Sequence, residues 1–158
     1  MTDTAREVAC LQDTLWRMHA GQLVRFATFL VGPSDANDVA VEAFLRALPR
    51  LVAGDVDKHA AYLLRAVTNH ANDLRRARSR RWRRDLHAIG PAHTAVADDF
   101  AEVRSAVAEL SVAQRTVVYL VYWEDRTERD IASLLDVSPS TVRQHVVRAR
   151  AHLRKALE

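Results

Sequence analysis

Glycine and proline are scarce in this chain, four of each in 158 residues. Folds built from many short strands need turns rich in both, so their scarcity points to an all-α protein. A single cysteine, Cys10, excludes an intrachain disulfide, argues against a zinc site and reads as a free structural thiol. Aromatic residues are only 6% of the chain, yet 49% is hydrophobic, enough for packed cores. No apolar run approaches the roughly 20 residues of a membrane span. The N-terminus is polar and acidic, without the basic start and apolar stretch of a secretory signal, so a cytoplasmic protein is expected. The seven histidines are scattered, and none clusters with carboxylates as metal ligands do. His87 and His93 fall in a stretch without helical period, where solvation is expected rather than ligation. There is no phosphate-cradling glycine loop and no catalytic constellation. The expectation is a protein with no catalytic residues, no metal and no cofactor.

The net charge is only +3, but its distribution is uneven. Residues 1–57 carry 5 basic and 8 acidic side chains, residues 58–84 carry 9 and 1, residues 85–110 carry 1 and 5, and residues 111–158 carry 8 and 6. Positive charge is thus focused in one segment and supplied almost entirely by arginine, the side chain suited to bidentate phosphate contact. A focused basic block implies a polyanionic partner, most often nucleic acid. The acidic stretches beside it imply a second, different partner surface.

Periodicity predicts a first helix from about Thr4 to Val31, with a break near Gly21 and an apolar stripe of Leu15, Leu23, Phe26, Ala27 and Leu30. Gly32 and Pro33 then break the chain, and Ser34 or Asp35 can cap the next helix. That helix buries Val39, Ala43, Ala47 and Leu48, with Phe44 alongside, and is expected to end at or just before Pro49. A third helix starts between Val56 and His59 and runs to about Arg84, with Ala60, Leu63, Leu64, Val67, Ala71 and Leu74 inward. After Leu74 the apolar pattern gives way to "RRARSRRWRR", seven arginines in ten residues. Such a block cannot be a core. Around Gly90-Pro91 the period vanishes, giving a linker at residues 85–98 between domains 1–84 and 99–158. The second domain opens at an N-cap near Asp98 or Asp99. Phe100, Val103, Ala106, Val107 and Leu110 form its first stripe. "SVAQ" then opens a helix with a capping box, followed by Val117, Val118, Val121 and Tyr122 as apolar positions.

The short helix at Thr127–Leu135, the turn at Asp136–Ser138 and the helix at Pro139–Leu157 have the lengths of a helix-turn-helix. Ser138 is placed to N-cap and Pro139 suits the first helical position. Val142, Val146, Ala149 and Leu153 mark the buried stripe of the last helix. Its other face carries Ser140, Arg143, Gln144, His145 and Arg148, suited to base edges and phosphates. Many such turns carry glycine where this one has Asp136. Pattern alone also fits a plain three-helix bundle with charged faces.

Taken together the two halves resemble the sigma-70 family. "LWRMHAGQLVRFATFLVGPSDANDVAVEAFLRAL" and "YLLRAVTNHANDLRRARSRR" are similar to that family's conserved region two. "ELSVAQRTVVYLVYWEDRTERDIASLLDVSPSTVRQHVVRARAHLRKAL" is similar to its region four. Two such regions joined by a short linker resemble extracytoplasmic-function (ECF) sigma factors, and the likeness covers residues 12–157. It implies two small helical domains joined by a short flexible linker. It also implies binding to core RNA polymerase and direction of transcription initiation at promoters. No further C-terminal signalling domain is expected.

The resemblance assigns polymerase docking to Asp35, Asp38, Glu42 and Arg46, with Val41 standing where the family often has glutamine. It assigns the −10 element to Arg65, Asn69, Asn72 and Asp73 on the polar face of the third helix and to Arg75, Arg76, Arg78 and Arg80, which with Arg81 are phosphate contacts. Single-stranded bases must be held there by stacking and pockets. Tyr62 is expected in the core, His59 is a weak stand-in for the loop aromatics, and Trp82 is left open between stacking on a base and covering the helix end. The −35 element falls to Ser140, Thr141, Arg143, Gln144, His145 and Arg148. His145 replaces a common arginine, which predicts a shifted promoter preference. The expected partners are core RNA polymerase, promoter DNA and, in many members of the family, an anti-sigma factor. The alternative is an independent helix-turn-helix regulator whose N-terminal half dimerises or senses a signal.

Overall fold

A computed structural model describes residues 3–84 and 101–158, with side chains for 6–80 and 101–158. The linker at 85–98, the N-cap near Asp98 or Asp99, Phe100 and the side chains of Arg81 and Trp82 lie outside the described residues. The described chain is seven helices without a strand: α1 (Asp3–Val31), α2 (Pro33–Val52), α3 (His59–Arg84), α4 (Ala101–Glu109), α5 (Val112–Tyr122), α6 (Glu128–Leu135) and α7 (Pro139–Leu157). The chain is all-α, as its composition implies.

α1 to α3 form one bundle. Its core is Leu23, Phe26 and Leu30 from α1, Val39 and Phe44 from α2, and Leu63, Leu64 and Val67 from α3. The inner face of α2 also carries Ala36, Ala40, Ala43 and Ala47, all buried. Small side chains at three- and four-residue steps let neighbouring helices approach closely. Each fully buried Leu or Phe contributes about 1.5–3 kcal/mol of transfer free energy. α4 to α7 make the second group, around Leu110, Val117, Leu120, Ile131, Val142 and Ala149.

Several local expectations need correction. α1 runs through Gly21 unbroken, because one exposed glycine costs only about 1 kcal/mol in a long helix. α2 is capped by the backbone of Gly32 at φ 88°, with Pro33 at its start and no side-chain cap from Ser34 or Asp35. It also continues past Pro49 to Val52. Burial of Leu51 holds that last turn on the core, while the Ala53 and Asp55 amides donate to Pro49 and Arg50 carbonyls. Val103 and Tyr122 are exposed, and Tyr119 and Leu120 are buried on α5 instead.

The helix-turn-helix follows the expected lengths closely. Thr127 and Asp130 form a capping box at the start of α6, and Ser138 accepts from the Thr141 amide at the start of α7. Asp136 ends α6 in the left-handed conformation at φ 58°. Aspartate tolerates that region better than most side chains, which accounts for a tight turn without glycine.

Candidate promoter and polymerase surfaces

α7 presents its polar face to solvent. Ser140, Arg143, Gln144, Val147 and Arg148 line one shallow groove, at the three- and four-residue steps that share a helix face. Arg143 is oriented from behind: its Nε and Nη2 donate to Glu128 of α6 at 3.0 and 2.9 Å. Hydroxyls of Ser140 and Thr141 each lie 2.8 Å from Ser138 Oγ, clustering at the α7 N-terminus. Backbone amides and the helix dipole there favour a phosphate oxygen.

Two side chains stand apart from the sequence reading. His145 is half-buried on the flank of α7, and burial followed by the charge of Arg148 lowers its pKa from the usual value. Both effects favour its neutral form. Val147 was not among the sequence-derived contacts, yet it is 58% exposed in the middle of the groove. Its spacing from Arg143 and Gln144 could have revealed it.

The eight candidate −10 residues of α3 divide by geometry. Arg65, Asn69, Asn72, Asp73, Arg76 and Arg80 fall on one face by helical spacing. Arg75 and Arg78 fall elsewhere. Arg78 donates to Asp35 at 2.7 Å, and Arg75 donates to the Leu110 carbonyl at 2.8 Å. Arg65 meets Asp136 of the helix-turn-helix turn at 3.2 Å. Tyr62 packs half-buried against the core, as expected.

On α2, Asp38 and Glu42 are exposed. Arg46 lies 3.9 Å from Glu42 and 3.9 Å from Asp73. The acidic face thus meets the basic helix at both Asp35–Arg78 and Arg46–Asp73. Beside it, Val41 and Leu45 are exposed and share a groove with Ala9, Gln12, Asp13, Trp16 and Phe44. Trp16 packs edge-on against Phe44 at 5.1 Å, which makes the floor of that groove rigid and apolar.

The two groups of helices touch. Tyr119 of α5 sits between Phe26 and Phe29 of α1, with ring centroids 4.9 and 5.5 Å away. Burial, with Glu124 adding to it, pushes its phenol pKa up. Arg115 of α5 donates to the carbonyls of Leu30, Ala108 and Leu110, at the C-terminal ends of α1 and α4. A guanidinium there meets the negative ends of two helix dipoles. Burial and then Arg75 lower its pKa. Gln22 donates to Glu124 at 3.1 Å. Among the described residues no group of three or more His, Cys, Asp or Glu side chains could hold a metal ion, and no helix is long and apolar enough to cross a membrane.

An exposed recognition helix in a helix-turn-helix, paired with a separate bundle bearing an arginine-rich helix, defines a class of DNA-reading protein. Comparison with known proteins narrows the class. The Sigma-70 region 2 family matches residues 15–81, and the Sigma-70, region 4 family matches residues 100–153. ECF RNA polymerase sigma factor SigM of Mycobacterium tuberculosis is 35% identical over 158 residues, covering 92% of this chain and 76% of SigM. ECF RNA polymerase sigma factor SigC of the same species is 31% identical over 133 residues, covering 80% and 72%. RNA polymerase sigma-E factor of Streptomyces avermitilis is 32% identical over 154 residues, covering 90% and 82%. In fold, the chain is similar to the sigma factor RpoE of Bartonella quintana, solved with the anti-sigma factor NepR. The TM-score is 0.66 at 21% identity, over 99% of this chain and 98% of that one. The chain belongs to the sigma-70 family and is an ECF-type sigma factor.

Proposed function

We propose that this chain binds core RNA polymerase in the bacterial cytoplasm and directs it to promoters. α7 reads the −35 element as duplex through Ser140, Thr141, Arg143, Gln144 and Arg148, with His145 on the flank. α3 holds the −10 element through Arg65, Asn69, Asn72, Asp73, Arg75, Arg76, Arg78 and Arg80. Asp35, Asp38, Glu42 and Arg46 dock on the polymerase, with Val41 and Leu45 supplying an apolar centre inside that charged rim. An anti-sigma factor is the proposed negative regulator. The chain supplies binding energy and discrimination, and the polymerase supplies the chemistry.

The observation that carries this reading is the pairing of an exposed recognition face on α7 with a basic α3 and an acidic α2 in one chain matched by both sigma regions. The test is run-off transcription with purified bacterial core polymerase on a library of promoter fragments. A discrete set of transcripts that requires the chain and disappears with Asp38→Arg is expected. A footprint on duplex DNA by the chain alone, with no transcripts, would instead indicate an independent regulator.

A further inference from the structure

We infer that Glu128 is a positioning residue for −35 recognition: its carboxylate holds the Nε side of Arg143, so that the guanidinium meets the duplex with its Nη1–Nη2 edge and takes guanine as its base. The inference rests on the sigma-factor reading above and adds a residue that the −35 assignment leaves out. The local sequence explains why Glu128 is available. In "TERD" the capping box joins Thr127 and Asp130 to each other, through bonds of 2.7 and 3.2 Å. Glu128 is the first residue of α6 and takes no part in that box. A negative charge is favoured there by the helix dipole. The buried faces of α6 and α7, Ile131 and Leu134 on one and Val142 and Val146 on the other, pack these helices together. Glu128 is thereby carried alongside Arg143, 15 residues further on.

Both bonds end on a single oxygen. Arg143 Nε and Nη2 donate to Glu128 Oε2 at 3.0 and 2.9 Å. A guanidinium carries its N–H donors in one plane, in a fixed fork. Occupation of the Nε–Nη2 side leaves the end formed by Nη1 and Nη2, whose two parallel N–H bonds match guanine O6 and N7. The Arg143 side chain is 67% exposed and that of Glu128 38%, so the arginine reaches further into solvent than its holder. An ion pair this exposed contributes little to stability. Its carboxylate also repels phosphates, which weakens contact with every duplex alike. Neither effect selects a sequence. Restriction of Arg143 does: an unheld arginine can turn to any phosphate within reach, whereas a held one offers a single edge. The ordering cost of that long side chain is also met before DNA arrives.

The test uses bacterial core polymerase reconstituted with the full chain, on the preferred promoter found by run-off transcription. Discrimination is the affinity for that promoter divided by the affinity for the same fragment with one −35 base pair replaced. Glu128→Ala should raise affinity for random-sequence duplex several-fold, because a negative charge is lost. It should lower discrimination about tenfold at one guanine-containing pair, the same pair that Arg143→Ala affects. Glu128→Gln keeps an acceptor oxygen without the charge, and should retain most of the discrimination. In an Arg143→Ala background, Glu128→Ala should change affinity but leave discrimination as it is.

Undiminished discrimination by Glu128→Ala would overturn the inference and leave the sigma reading standing. So would a loss that persists in the Arg143→Ala background, since Glu128 would then contact a base itself. Equal losses from Glu128→Gln and Glu128→Ala would show that charge rather than the bond to Arg143 is what counts, and would also overturn it. Absence of transcripts even from the unaltered chain would sink the sigma reading and the inference with it.

Discussion

Val147 offers the sharpest single-side-chain prediction. An exposed branched methyl pair between Arg143, Gln144 and Arg148 suits the C5-methyl of thymine in a major groove. Replacing −35 thymines by deoxyuridine should weaken promoter binding, and Val147→Ala should remove that sensitivity. If the variant still distinguishes thymine from deoxyuridine, Val147 does not read the methyl. Arg143→Ala should cost about 1–3 kcal/mol on the preferred −35 sequence and less on others. An equal loss on every sequence, measured by competition binding, would make Arg143 a phosphate contact. The histidines carry a pH prediction. His145 has its folded pKa lowered by burial and Arg148, and His19 has its own lowered by burial and the neighbouring His59. Near pH 6 the unfolded chain then binds more protons than the folded one, so stability rises with pH. It should be full above about pH 7 and be lost as pH falls below the ordinary histidine value of about 6.5. Thermal unfolding at a series of pH values checks this. His145→Gln should flatten the dependence.

The helices carry their own tests. Ser138 caps α7 and gathers the Ser140 and Thr141 hydroxyls around its own. Ser138→Ala should destabilise the chain by about 1 kcal/mol, and should also weaken DNA binding by loosening the phosphate-facing end of α7. Denaturant unfolding and filter binding measure the two effects separately. Thr116 is buried in α5, and its hydroxyl has no hydrogen-bond partner among the described residues. Burial of an unpaired hydroxyl is unfavourable, so Thr116→Val should stabilise the second helix group by about 1 kcal/mol. A lower midpoint in denaturant would show that the hydroxyl has a partner. Both substitutions leave the reading face of α7 in place, so their effects on specificity should be small.

The molecule taken together is a charge pattern folded onto itself. Arg78 meets Asp35 and Arg46 meets Asp73, so candidate polymerase and DNA contacts neutralise one another across α2 and α3. Binding either partner would therefore disturb the other surface. Promoter affinity of the polymerase complex should fall steeply with salt, as released counterions drive phosphate binding. Arg76→Ala should reduce the slope of log affinity against log salt by about 1 if Arg76 contacts a phosphate. An unchanged slope would remove it from the interface.

The amino-acid sequence by itself determined what depends on neighbours within a turn or two. Caps at Ser111, Thr127 and Ser138, stripes at helical spacing and the short turn at Asp136 are local, and each is written in consecutive side chains. The helical stretches, the helix-turn-helix and the sigma-70 resemblance were legible for that reason. Helix ends set by packing were not: α2 passes Pro49 because Leu51 is drawn onto the core from a distance. Only the tertiary structure decided which charge meets which. Arg65 and Asp136 are 71 residues apart, and Arg115 and Leu30 are 85 apart. No spacing rule links such positions, because the helices that bring them together are oriented by their buried faces. The sequence shows that Arg65 and Arg75 are cations on a basic helix; the packing that brings the turn after α6 and the α4–α5 junction onto α3 decides that Asp136 and the Leu110 carbonyl are their partners.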